Sequence, residues 1–174
     1  MQKLIVVILF ALFSQGLLAQ SNAIDALIDK YESREEVSTL NLQGWLFNLV
    51  ANADDDEETT GVSAKINHIQ LMVMDEQNLV SPKEMKRFKS AIYKDQYEPL
   101  FQIREEKNLV EFLLREEGDL ITDVLILVSG KEDFVLLNLS GQLKFSDLND
   151  LDIQVEGGDH FKKIPENRRD VPRA

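Results

Sequence analysis

The sequence predicts an α+β fold: a mainly antiparallel sheet with a C-terminal four-strand meander and helices packed on one face. Three observations carry that expectation. Apolar residues recur at helical spacing early in the chain, at Ile24, Leu27, Ile28 and Tyr31. Four strand-like runs then follow one another between Leu100 and Ser140, separated only by short polar links such as Glu117-Gly118-Asp119. A parallel crossover needs a dozen or more residues, so links this short make neighbouring strands antiparallel.

The elements follow in order. Met1–Ala19 has a basic start at Lys3, an apolar run from Leu4 to Phe13, and Leu17-Leu18-Ala19 ahead of Gln20. That is the layout of a secretory signal peptide, and the run falls short of the roughly 20 apolar residues a spanning helix needs. Cleavage is expected near Ala19-Gln20, giving a periplasmic or secreted product with no membrane span in the mature chain. Residues 20–152 are expected to form a single α+β domain, the usual size for one core. Residues 153–174, polar and without hydrophobic period, are expected to be a disordered tail.

Within the domain, Ser21 to Glu36 reads as an amphipathic helix and Thr39 to Leu42 as a short strand. Gly44 releases a second apolar segment, Trp45 to Val50, expected as a short helix burying Trp45, Leu46, Leu49 and Val50. Residues 52–63 are acidic and aperiodic, which predicts a surface loop. Ala64 to Met74 reads as a strand with Ile69, Leu71 and Val73 on one face and His68, Gln70 and Met72 on the other. Ser81 and Pro82 mark a helix start, with Glu84 placed to close a capping box. Met85, Phe88 and Ile92 form its inward stripe, and Pro99 ends whatever remains of it.

The meander is expected over Leu100–Arg104, Leu109–Glu116, Leu120–Ser129 and Phe134–Ser140. Val110, Phe112 and Leu114 alternate with Glu111 and Arg115, which predicts a strand with one wet face. Val124 to Val128 is apolar on both faces, which predicts a central, covered strand. Ser146 to Leu151 reads as a closing helix with Leu148 and Leu151 inward.

Composition excludes several chemistries. The chain has no cysteine, so thiol catalysis, cysteine-ligated metal and a lipid on an N-terminal cysteine are ruled out. Lys+Arg number 19 against 31 Asp+Glu, a net charge of −12, and loss of Lys3 with the leader makes it one more negative. Nucleic acid and anionic membranes need a basic footprint, so neither is an expected partner. The acids suit an exported domain that stays in solution.

Candidate sites are few. Asp54, Asp56 and Glu58 alternate as calcium-loop ligands do, but an EF-hand opened by Asn52 would need glycine at Glu57 and glutamate at Ser63. A solvated charge run over 54–58 is the expectation. His68 and His160 are far apart and lack the short-range partner of a zinc site. Ser129-Gly130 and Ser140-Gly141 read as strand ends rather than nucleophile elbows. The pairs Glu105-Glu106 and Glu116-Glu117 read as hairpin acids, because a hydrolytic pair needs a cleft and a set separation. Asn138-Leu139-Ser140 matches a glycosylation acceptor but falls inside an expected strand. Trp45 and Phe47 read as core aromatics. No catalytic, cofactor-binding or metal residue is assigned, and no cofactor is expected.

Three stretches carry a family resemblance. The first is the early helix followed by Leu40-Asn41-Leu42-Gln43-Gly44-Trp45-Leu46-Phe47. The second runs from Leu114-Arg115-Glu116-Glu117-Gly118-Asp119-Leu120 to Val128-Ser129-Gly130. The third runs from Phe134-Val135-Leu136-Leu137-Asn138-Leu139-Ser140-Gly141 to Leu148-Asn149-Asp150-Leu151. Over residues 22 to about 152 the chain resembles the domain of unknown function 4252 family of exported Bacteroidetes proteins. Many members resemble lipoproteins, a tether this cysteine-free chain lacks. The resemblance implies no activity and no catalytic residues. The expected role is a non-enzymatic module that binds a protein, peptide or small ligand; the alternative is a carboxylate-dependent or metal-assisted hydrolase.

Overall fold

The structure is a computed structural model that describes residues 22–44, 60–105 and 107–150. The leader, the Trp45–Val50 segment, the acidic stretch 54–58, His160, Leu151 and the tail lie outside the described residues.

Helix α1 spans Ala23–Tyr31, shorter than expected at both ends. Asn22 sets its start: the side-chain oxygen accepts from the backbone N–H of Ile24 at 2.8 Å and of Asp25 at 2.9 Å. That N-cap satisfies two donors that the first turn leaves without partners. Ile24, Leu27, Ile28 and Tyr31 are its buried residues, the stripe that the spacing predicts. Strand β1 is Ser38–Gln43, and a four-residue helix α2 occupies Thr60–Ser63. The end of the expected loop is therefore helical.

Strand β2 runs Ile66–Met74 and helix α3 runs Pro82–Lys94. Ser81 caps α3 by accepting from Glu84 N–H at 3.3 Å, with Pro82 in the first turn. The Glu84 carboxylate does not turn back on the cap. It accepts from Tyr31 Oη of α1 at 2.7 Å and pairs with Lys30, so a residue expected to serve one helix end instead joins two helices. Phe88 and Ile92 are buried on α3, and Met85 packs against the same core.

The meander follows as β3 (Glu98–Glu105), β4 (Asn108–Glu117), β5 (Leu120–Ser129) and β6 (Phe134–Leu143), closed by a 3-10 turn over Phe145–Asp150. Pro99 lies inside β3 rather than ahead of it; an edge strand tolerates the missing N–H. The sheet order is β1-β2-β6-β5-β4-β3, and each neighbouring pair is antiparallel. β2 thus sits next to one edge and β3 forms the other, so α3 carries the chain across the sheet.

Both sheet faces are apolar. α1 and α3 share a core with Met72, Met74, Leu113, Leu125, Leu127 and Leu136. Phe112, Leu114, Val124, Ile126 and Leu139 belong to a second cluster that Val62 of α2 and Leu148 of the closing turn join. β5 is central and covered, as its two-sided apolar run predicts. β4 differs from expectation: Glu111 is buried and Arg115 half-buried, because their face lies in the layer that holds Leu113 and Lys89 of α3 pairs with Glu111. Ser140-Gly141 also departs from the reading as a strand end and lies within β6. Gly141 is what lets the strand continue there. A Cβ at this position would fall 2.2 Å from Lys65 O, and that carbonyl accepts from Gln142 N–H at 3.0 Å.

Candidate binding cleft

A row of polar side chains crosses the helix-covered face, and Asn138 of β6 is its hub. Asn138 is 1% exposed. Its amide nitrogen lies 3.2 Å from Gln70 Oε1 on β2 and 3.3 Å from Ser140 Oγ. Gln70 donates onward to Asp25 of α1 at 2.7 Å, and Ser140 donates to Asp123 Oδ1 of β5 at 2.8 Å. Tyr97 Oη sits 3.5 Å from Asn138 Oδ1. From the Asn138 amide nitrogen the donors point outward and both arms end on a carboxylate, whereas Tyr97 donates into the hub. This satisfies polar groups that burial would otherwise penalise.

The Asp123 end connects to Arg115 of β4, its cross-strand register partner. Arg115 Nε and Nη2 lie 2.8 and 2.6 Å from Asp123 Oδ2, and the guanidinium stacks 5.3 Å from the Tyr97 ring centre. Burial pulls the Arg115 guanidinium down, but the charge and hydrogen bond of Asp123 outweigh it and hold it above its ordinary value. Burial first, then the Asp123 charge, pushes the Tyr97 phenol up. Arg115 is therefore charged and Tyr97 keeps its proton.

Arg115 also lines a cleft of about 640 Å³ with Asn22, Lys94, Asp95, Gln96, Glu116, Glu117 and Thr122. Four termini meet here: the start of α1, the end of α3, the end of β4 and the start of β5. Gly118, at φ 64°, makes the β4–β5 turn. α3 ends with Asp95 as its cap, and Tyr97 N–H reaches back to Ile92 O at 3.1 Å. Gln96 occupies the left-handed position of this ending at φ 67°, where glycine is usual. Thr122 Oγ1 donates to Arg115 O at 3.2 Å and ties the strand ends together.

The cleft mixes both signs of charge, Lys94 and Arg115 against Asp95, Glu116 and Glu117. Glu116-Glu117, expected in a hairpin link, thus close β4 and face a concave site. Sequence reasoning missed Arg115, Thr122, Gln96 and Asn22. The signal available was Arg115 and Asp123 on either side of Glu117-Gly118-Asp119, two positions before it and four after it, which the hairpin sets opposite each other through a register shift between Arg115 and Glu116.

Other candidates fall elsewhere. His68 Nε2 lies 2.6 Å from Asn41 Oδ1 on the β1–β2 pair. Ser129 ends β5 as expected. Asn138 is too deeply buried to accept a glycan in the folded state. Among the described residues, no three His, Asp or Glu side chains group to hold a metal, and no helix is long and apolar enough to cross a membrane.

The family described as Domain of unknown function (DUF4252) matches residues 31–151. The chain belongs to that family. The DUF4252 match covers the sheet, α2, α3 and the closing turn, and it leaves most of α1 outside. Arg115, Asp123 and Asn138 fall within the DUF4252 span, whereas Asn22 and Asp25 do not. No curated protein and no solved structure matches the chain.

Proposed function

We propose that the protein is an exported, non-enzymatic binding module of the periplasm, released as a soluble domain over residues 20–152 after cleavage near Ala19-Gln20. The observation that supports it is the cleft at the α1, α3 and β4–β5 ends. Its lining offers donors and acceptors of both charge signs around a guanidinium fixed by Asp123 and Tyr97. A fixed Arg beside exposed Lys94, Asp95 and Glu117 suits a polar ligand that itself carries both charges, such as a peptide segment. Nuclear magnetic resonance titration with short lysine- and glutamate-containing peptides tests it. Shifts should concentrate at Asn22, Gln96, Arg115 and Thr122 and vanish in Lys94→Glu; shifts spread over the surface would sink the reading. Mass spectrometry of the exported protein should find Gln20 at its amino terminus, and a chain that keeps Met1 would count against release.

The convergence of Asp95, Glu116 and Glu117 on one cleft favours the second reading, a carboxylate-dependent hydrolase. Against it, Asp95 and Glu117 are exposed, and the buried carboxylate beneath them, Asp123, has both oxygens engaged. A general acid needs a carboxyl whose surroundings hold it protonated. Turnover of peptide or ester substrates that is lost in Glu117→Gln would establish the hydrolase instead.

A further inference from the structure

The two edges of the sheet are built differently. β3 carries Glu98, Pro99, Arg104 and Glu105, and its register shifts between Pro99 and Phe101. Charge, proline and a bulge are the devices that keep an edge strand from pairing with another chain. β1 has none of them. Its sequence, Ser-Thr-Leu-Asn-Leu-Gln, has no charge and no proline, and its register with β2 is unbroken from Ser38↔Val73 to Gln43↔His68. Every β1 residue but Leu42 is exposed, and Leu40, at 43%, is one of two exposed large hydrophobic residues among those described.

We propose that the outer edge of β1, which pairs with no strand among the described residues, pairs antiparallel with β1 of a second copy of this chain, about a two-fold axis at Asn41. Side chains alternate across a strand, and residues paired antiparallel share a face. Leu40 and Leu42 stand in register with Leu71 and Ile69, and Ile69 belongs to the second apolar cluster. A two-fold at Asn41 sets Leu40 against Leu42 of the second copy, and Leu42 against its Leu40. Four leucines meet, and the same apolar face runs on through both sheets. On the other face Asn41 meets Asn41 and Thr39 meets Gln43, all uncharged. An axis at Leu40 would instead set Leu42 against Ser38 and cover less apolar surface.

The charge of −12 per chain does not oppose this pairing at its centre. The nearest charged residue ahead of the strand is Glu36. An antiparallel two-fold holds the two Glu36 on the order of 30 Å apart at strand spacing, well beyond the screening length of about 8 Å. A single strand pair is a small contact, so the dimer is concentration-dependent rather than obligate.

Sedimentation equilibrium of the exported protein reads the outcome directly. The mass should double with rising concentration, and Leu40→Lys should weaken the association at least roughly tenfold while leaving circular dichroism and melting unchanged. The absence of native cysteine provides a second readout that is specific for register. Asn41→Cys should crosslink to itself on oxidation, because paired Cα atoms lie about 4.5 to 5.5 Å apart, within disulfide reach. Thr39→Cys and the exposed Tyr93→Cys should not. A chain that stays monomeric throughout, a dimer indifferent to Leu40→Lys, or a Tyr93→Cys that crosslinks as fast as Asn41→Cys would each overturn the proposal.

Discussion

Removing the Asp123 carboxylate should show how much the fold relies on the polar row. In Asp123→Ala, Arg115 loses both of its contacts to Oδ2, at 2.8 and 2.6 Å, and Ser140 loses its acceptor at 2.8 Å. Truncating one partner of a fully buried ion pair costs about 3 to 5 kcal/mol. Asp123 is only 5% exposed at its side chain but Arg115 is 36% exposed, so water recovers part of the guanidinium. That discount brings the expected loss to about 2 to 3 kcal/mol, Ser140 included. Arg115→Met should cost more, about 4 kcal/mol, since it leaves the more buried charge behind with only the neutral Ser140 and Tyr97 beside it. The double variant Arg115→Met/Asp123→Ala removes both charges and should lie within about 2 kcal/mol of the parent. Urea unfolding with unchanged slope gives each value, and the cycle should return a coupling of about 4 kcal/mol. Strictly additive losses, or an Asp123→Ala cost below about 0.5 kcal/mol, would refute the pairing as a structural element.

Gly141→Ala should destabilise by at least about 2 kcal/mol, because its Cβ would meet the Lys65 carbonyl at 2.2 Å; Gly61→Ala, with nothing within 4 Å, should be neutral or slightly stabilising in the same melts. Asn22→Ala should cost about 1 kcal/mol through the lost α1 cap, read by urea titration. Gln96→Gly should stabilise by about 1 kcal/mol by removing a left-handed side-chain residue; no gain would place the Gln96 side chain in a stabilising contact. Burial pushes the Glu84 and Asp147 carboxyls up, but hydrogen bonds outweigh it, from Lys30 and Tyr31 for Glu84 and from Lys65 and Lys144 N–H for Asp147, so both sit below the ordinary range. The folded state then binds fewer protons, so this stability is present above the unfolded carboxyl values and is lost as pH falls through the folded ones. Glu84→Gln and Asp147→Asn should each flatten the acid limb of a stability profile, and an unchanged limb would show that the carboxyl exchanges no protons on unfolding.

The meander was legible because its information is local. Links such as Glu117-Gly118-Asp119 are too short for anything but a turn, and Val124 to Val128 can only suit a strand covered twice. The α1 stripe and the Ser81-Pro82 start were legible for the same reason, since spacing and capping act within one turn. Strand order is not local. Nothing in Ile66–Met74 says that it lies between β1 and β6, because its partner strands begin 28 positions before it and 68 after it. Glu84 shows the same limit at one residue: its spacing from Ser81 fits a capping box, but a tyrosine more than fifty positions away takes its carboxylate.

The polar row explains why the site was harder to read than the fold. Gln70, Asn138, Asp123 and Arg115 each look, within their own strand, like the polar half of an alternation, and alternation reads as a wet face. That inference assumes one side of the sheet meets water. Here α1 and α3 cover that side, so the same pattern marks buried groups that must pair with one another. Only the register turns four separate polar residues into one chain, because Gln70 opposes Asn138, and Asp123 opposes both Ser140 and Arg115. Hydrophobic residues in such a layer could repack with modest loss, whereas these residues accept few alternatives at each other's positions. The row therefore fixes where β4, β5 and β6 sit under the helices. Its last member, Arg115, is thereby positioned at the mouth of the cleft by Asp123 and Tyr97.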